Sequence, residues 1–107
     1  MAFPPLDFTL DKYSELCREI INSGYRIITV SDLIHNPDTA QPVLVMRHDV
    51  DRMIGRALRM AELEQSLGIA STYYFRKAGF SRPSAIQSIA RMGHEIGFHY
   101  EVLDEAR

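Results

Sequence analysis

The sequence holds one cysteine, Cys17, in 107 residues, which excludes an internal disulfide and a cysteine metal cluster. It also lacks an excess of positive charge. Lys and Arg number 12 against 14 Asp and Glu, for a net charge of −2, so there is no clustered basic footprint of the kind that displaces counterions from nucleic acid or binds an anionic membrane. No apolar run is long enough to span a bilayer, and the opening MAFPPLDFTL has neither the basic start nor the apolar core of a signal peptide. A cytoplasmic location is therefore expected, with neither nucleic acid nor membrane as partner. Repeats and low-complexity tracts are absent as well. The length leaves room for a single domain, residues 1–107.

What is present alternates between helical and extended patterns. In TLDKYSELCREIINSGY, Leu10, Tyr13, Leu16, Cys17, Ile20 and Ile21 recur at three- and four-residue spacing, which predicts an amphipathic helix stopped at Gly24. Cys17 falls in that pattern and reads as a buried structural residue. YRIITV predicts a short strand. SDLI predicts a turn or short helix with Ser31 at its N-cap, and NPDTAQP a loop. VLVMRHDV begins as a continuous apolar strand of the sort that is buried on both faces in parallel sheets. MIGRALRMAELEQSLG predicts a helix with Ile54, Ala57, Leu58, Ala61 and Leu67 on its apolar side, ended by Gly68. IASTYYFR is a strand. RPSAIQSIARMG is a helix with Ser81 or Pro83 near its start and Gly93 at its end, and HEIGFHY is a last strand before EVLDEAR. This alternation predicts an α/β fold built on a mostly parallel sheet or barrel.

In such folds ligands gather at the carboxyl ends of the strands. Two polar clusters, RHDVD and GFHYE, fall at such ends. In an extended segment residues i and i+2 point the same way, so Asp49 and Asp51 can enter one site while His48 and Val50 point elsewhere. One carboxylate can bind a cation while the other acts as a base. His99 and Glu101 stand in the same relation, and a carboxylate–imidazole set suits a hard or borderline divalent metal. The plainer alternatives are a solvated strand end with a helix cap at the two aspartates, structural histidines at His94 and His99, and surface charges or ion pairs at Arg47 and Arg52. His35 has no companion and is assigned no role.

Taken together, RHDVDR, ALRMAELEQSLGIASTYYFR and IQSIARMGHEIGFHYEVLD resemble the N-terminal half of the polysaccharide deacetylase superfamily, the NodB-homology carbohydrate esterases, over Val43 to Asp104. The run from SGYRIITVSDL onward is similar to deacetylase-like proteins of surface-polysaccharide and O-antigen gene clusters. The resemblance implies a partial (β/α) barrel. It places the catalytic base on Asp49 and metal ligands on Asp51 and His99, and it leaves Arg47 and Tyr100, beside the two motifs, as candidate substrate-binding residues. The implied cofactor is a divalent metal, zinc in the first place, with cobalt or another divalent ion as the alternative. The implied reaction is hydrolysis of an N- or O-acetyl group on a sugar or polysaccharide.

The chain also departs from the family pattern. The second motif usually reads His-Ser/Thr-x-x-His, and here it reads His99-Tyr100-Glu101-Val102-Leu103. Leu103 stands where the second metal histidine is usual, so Glu101 as substitute ligand, a ligand from another chain, or no metal at all are the alternatives. His94 reads as structural. The family's later motifs, an arginine tuning the base and a histidine acting as acid, have no counterpart. Weak or absent turnover is therefore expected of an incomplete deacetylase-like domain, with a homo-oligomer covering the open barrel edge. The alternative is a non-catalytic saccharide-binding or assembly remnant.

Overall fold

The computed structural model describes residues 9–35, 41–50, 53–76 and 82–98. Within them helices and strands alternate: α1 (Leu10–Asn22), β1 (Arg26–Ile28), α2 (Val30–His35), β2 (Val43–Val45), β3 (Arg47–Val50), α3 (Ile54–Ser66), β4 (Thr72–Phe75), α4 (Pro83–Arg91) and β5 (Glu95–Phe98). β1 pairs with β2, while β3, β4 and β5 lie side by side in that order, and every pairing is parallel. The fold is α/β, as the alternation predicts. No closed barrel forms among the described residues, and none of their helices is long and apolar enough to cross a membrane.

The local signals explain most element ends. Thr9 starts α1, its hydroxyl accepting the Lys12 N–H at 3.2 Å. Gly24, Gly68 and Gly93, the three predicted helix stops, have φ of 85°, 75° and 94°, a left-handed conformation in which a side chain would be strained. α4 begins at Pro83, whose missing N–H costs nothing in a first turn; Ser81, the other predicted start, lies outside the described residues. α2 departs from expectation because it starts one residue before Ser31. The Thr29 hydroxyl accepts the Asp32 N–H at 3.1 Å, and the Asp32 carboxylate accepts the Thr29 N–H at 3.3 Å. This reciprocal capping box fixes the start at Thr29.

The run VLVMRHDV also departs from expectation. It divides at Met46 into β2 and β3, with the Met46 carbonyl accepting the Thr72 N–H at 2.9 Å. Just past β1, the Val30 N–H donates to Thr72 Oγ1 at 3.0 Å, so the end of β1 meets the start of β4. The run is not buried on both faces: Val43, Leu44 and Val45 are half-buried, and β3 alternates between exposed and covered residues. The cause is one-sided cover. Val50, Tyr73, Phe75 and Ile96 share one face of the sheet and pack with Ile54, Ala57 and Ala61 of α3 and Ala85 and Ile89 of α4. A second apolar cluster joins Tyr13 and Cys17 of α1 to Met46 and Ile69. Cys17 is fully buried, as predicted, and burial pushes its thiol pKa up. The three long helices thus load onto one face, and on the other the start of α2 reaches Thr72 and Glu95.

Candidate functional site

The pleat of β3 sorts its four residues. His48 and Val50 face the helices, whereas Arg47 and Asp49 face the other way. Arg47 Nε donates to Asp49 Oδ1 at 3.2 Å with both side chains about half exposed, and the Arg47 guanidinium lies 4.3 Å from the centre of the Tyr74 ring. An exposed ion pair of this kind contributes about 0–1 kcal/mol. Its effect is to orient: the arginine is held from below by an aromatic face and holds the carboxylate in turn. Arg47 and Asp49, singled out from the sequence, are brought together.

The other sequence candidates, Asp51, His99, Tyr100 and Glu101, lie outside the described residues, as do Arg52 and Leu103. The strands leading to them are described. Val50, Phe75 and Phe98 are in register across β3, β4 and β5, so β3 and β5 end level with one strand between them, two strand spacings or about 10 Å apart. Among the described residues no group of three or more His, Cys, Asp or Glu side chains gathers in a way that could hold a metal.

A cleft of about 390 Å³ opens beside β3. Arg47 and Asp49 line it together with His48 and Tyr73 from the helix-facing side and Met53 and Arg56 from the start of α3. Behind it lies a buried carboxylate that sequence reasoning missed. Glu64 is fully buried. Its Oε1 accepts the Tyr73 hydroxyl at 2.5 Å, and its Oε2 accepts both the Tyr13 hydroxyl and the ring Nε2 of His48, the latter at 2.7 Å. Burial alone would raise the Glu64 carboxyl pKa, but the bonds from His48, Tyr13 and Tyr73 outweigh it and hold the group below the usual carboxylate value. The two phenols move the other way: burial, and then the Glu64 charge, push Tyr13 and Tyr73 far above the ordinary tyrosine value.

His94 lies 3.9 Å from Glu64 Oε1, yet it is not the ion-pair partner. Its Nδ1 accepts the Ser71 N–H at 3.0 Å, and its Nε2 donates to the Ala61 carbonyl at 2.9 Å. A backbone N–H can only donate and a carbonyl can only accept, so these two bonds specify the neutral ring with its proton on Nε2. His94 ties α3 to β4 and has the structural place expected of it. A signal for Glu64 did exist. Residues 54, 57, 61 and 64 share one helical stripe, and a glutamate on that stripe is a charge on the buried side.

The chain matches no family model, no curated protein and no solved structure.

Proposed function

We propose that this chain is a polysaccharide deacetylase-like domain, with its parallel strands part of a (β/α) barrel, that hydrolyses an acetyl group from a sugar or polysaccharide in surface-polysaccharide metabolism. The observation that carries the reading is the placement of Asp49. It sits near the carboxyl end of β3, on the sheet face away from the long helices, at the wall of a cleft and in the grip of Arg47. Ligand sites of parallel α/β folds collect at that end.

A divalent metal fits what is known of the donors. Asp51, His99 and Glu101 would supply oxygen and nitrogen ligands of the kind zinc and cobalt accept, and they follow two strands that end in register at Val50 and Phe98. Bound there, a divalent cation would supply Lewis-acid activation of a water and of an acetyl carbonyl. Asp49 takes the proton from the attacking water, and Arg47 keeps its carboxylate aimed. Tyr100, next to His99 in the chain, is the candidate for contact with the sugar. Leu103, in the position of the family's second metal histidine, favours the second reading, a non-catalytic saccharide-binding or assembly module.

The test is acetate release from acetylated chito-oligosaccharides and O-antigen sugars with zinc or cobalt added. Release that is slow, depends on the metal and disappears in Asp49→Asn supports the enzyme. Saccharide binding by calorimetry with no acetate released by either protein overturns it in favour of the second reading.

A further inference from the structure

The deacetylase reading leaves Glu64 and His48 unused, although they are arranged as a working pair. The Nε2 of His48 is committed as a donor to Glu64 Oε2 at 2.7 Å, and the two tyrosine hydroxyls occupy the same carboxylate from other sides. In the neutral form of such a ring, the nitrogen that does not donate carries a lone pair. Here that atom is Nδ1. It has no hydrogen-bond partner among the described residues, and the one buried side-chain polar atom among them that lacks a partner is Ser71 Oγ. The His48 side chain, 17% exposed, lines the cleft. The cleft wall beside it is apolar at Val50, Met53, Ala57 and Met60, with the cation of Arg56 also on the lining. That combination suits a small acyl group with a carbonyl oxygen.

We propose that Glu64 and His48 form a metal-independent catalytic pair, in which Nδ1 of His48 attacks small acyl esters of good leaving alcohols or phenols that enter this cleft. The Nδ1 lone pair forms a bond to the acyl carbon; the ester C–O bond breaks, and its electron pair leaves on the alcohol oxygen, which takes up a proton from solvent. The acylated ring carries a positive charge next to the buried carboxylate, which is where Glu64 stabilises it. A water oxygen then bonds to the acyl carbon and sheds its protons to solvent, and the C–N bond breaks to return its pair to Nδ1. The sum is ester plus water giving carboxylate, alcohol and a proton. Glu64 also fixes the ring orientation, the part that a buried carboxylate plays for an imidazole in hydrolase triads. The net downward displacement of the Glu64 pKa is consistent with a charge kept in place for this purpose. The proposal goes beyond the deacetylase reading and depends on neither its metal nor its base.

The experiment is hydrolysis of p-nitrophenyl acetate by the full chain in the presence of EDTA, with acid-quenched samples mapped by peptide mass spectrometry. Phenolate release is expected to exceed that of equimolar free imidazole by about tenfold or more and to survive chelation, and His48→Gln should lower it by about a hundredfold. The acetyl adduct should be concentrated on His48 and not on His94, whose two ring nitrogens are both occupied. His35→Gln, on exposed α2, should leave the rate unchanged. An acetylation map without His48, a rate no better than imidazole, or loss of the rate on chelation overturns the proposal. The adduct map is read on the unaltered chain, so it decides even where a variant folds poorly. Loss of metal-dependent acetate release from sugars would sink the deacetylase reading and leave this result untouched.

Discussion

The ring of Tyr74 occupies the space that a side chain on Gly97 would need: a Cβ there would stand 2.5 Å from Cε1 and 2.6 Å from Cδ1 of the tyrosine. The two residues are register partners on β4 and β5, and the same ring supports the Arg47 guanidinium that holds Asp49. One missing methyl group on β5 thus helps to set the position of a carboxylate on β3. Gly97→Ala must push the ring aside and disturb the stack. Overpacking of this kind costs about 1–3 kcal/mol, to be read as a lower urea midpoint. A variant as stable as the parent would show that Tyr74 can swing away freely.

Glu64→Gln removes the charge at which three donors are aimed. Hydrogen bonds to buried charges are among the strongest in a fold, and the expected loss is roughly 3 kcal/mol. The pH dependence has a definite sign. The Glu64 carboxyl lies lower in the folded chain than its ordinary value, so its contribution is fully present above about pH 4.3 and is lost as pH falls through the lower, folded value. Denaturant midpoints measured down this range should drop in the parent and drop less steeply in Glu64→Gln. Equal acid slopes would defeat the assignment.

The alkaline side carries a separate prediction. Tyr13 and Tyr73 are raised by burial and by the neighbouring Glu64 charge, so the stability they contribute is intact below the ordinary tyrosine value of about 10 and declines above it. In an ultraviolet titration two of the five tyrosines should stay un-ionised until the chain unfolds. Tyr13→Phe and Tyr73→Phe should each remove one of this hidden pair.

The metal reading makes its own demand. Asp51→Ala and His99→Ala should each abolish zinc binding in calorimetry, while Asp49→Asn should bind zinc as the parent does and lose hydrolysis, because a base serves turnover rather than affinity. Undiminished zinc in both alanine variants would remove those residues from the ligand set. Zinc lost from Asp49→Asn would move Asp49 into it.

The legible parts of this fold are those written in local pattern. The helix-stopping glycines at 24, 68 and 93, the proline opening α4 and the period-two sorting of Arg47 and Asp49 from His48 and Val50 all depend on neighbours close in the chain. The one-sided cover of β2 and β3 was not legible, because an apolar run has the same composition whether one face or two receives helices. The start of α2 was missed by placing the cap on Ser31, although Thr29 and Asp32 carry the spacing of a reciprocal cap. Glu64 was passed over because a glutamate in a helix is ordinarily solvated. Its partner Tyr13 stands 51 positions away, and no local rule connects the two.

That separation governs how the chain folds as well as how it holds together. The Glu64 cluster draws on α1, β3, α3 and β4 at once, so its bonds are complete only when all four elements are in place. If the cluster is completed after the folding transition state, weakening it speeds unfolding while leaving the folding rate nearly unchanged. In a chevron plot of Tyr13→Phe the change should fall on the unfolding limb. The buried carboxylate is in this sense a latch: it adds little to the speed of assembly and sets how long the assembled state lasts.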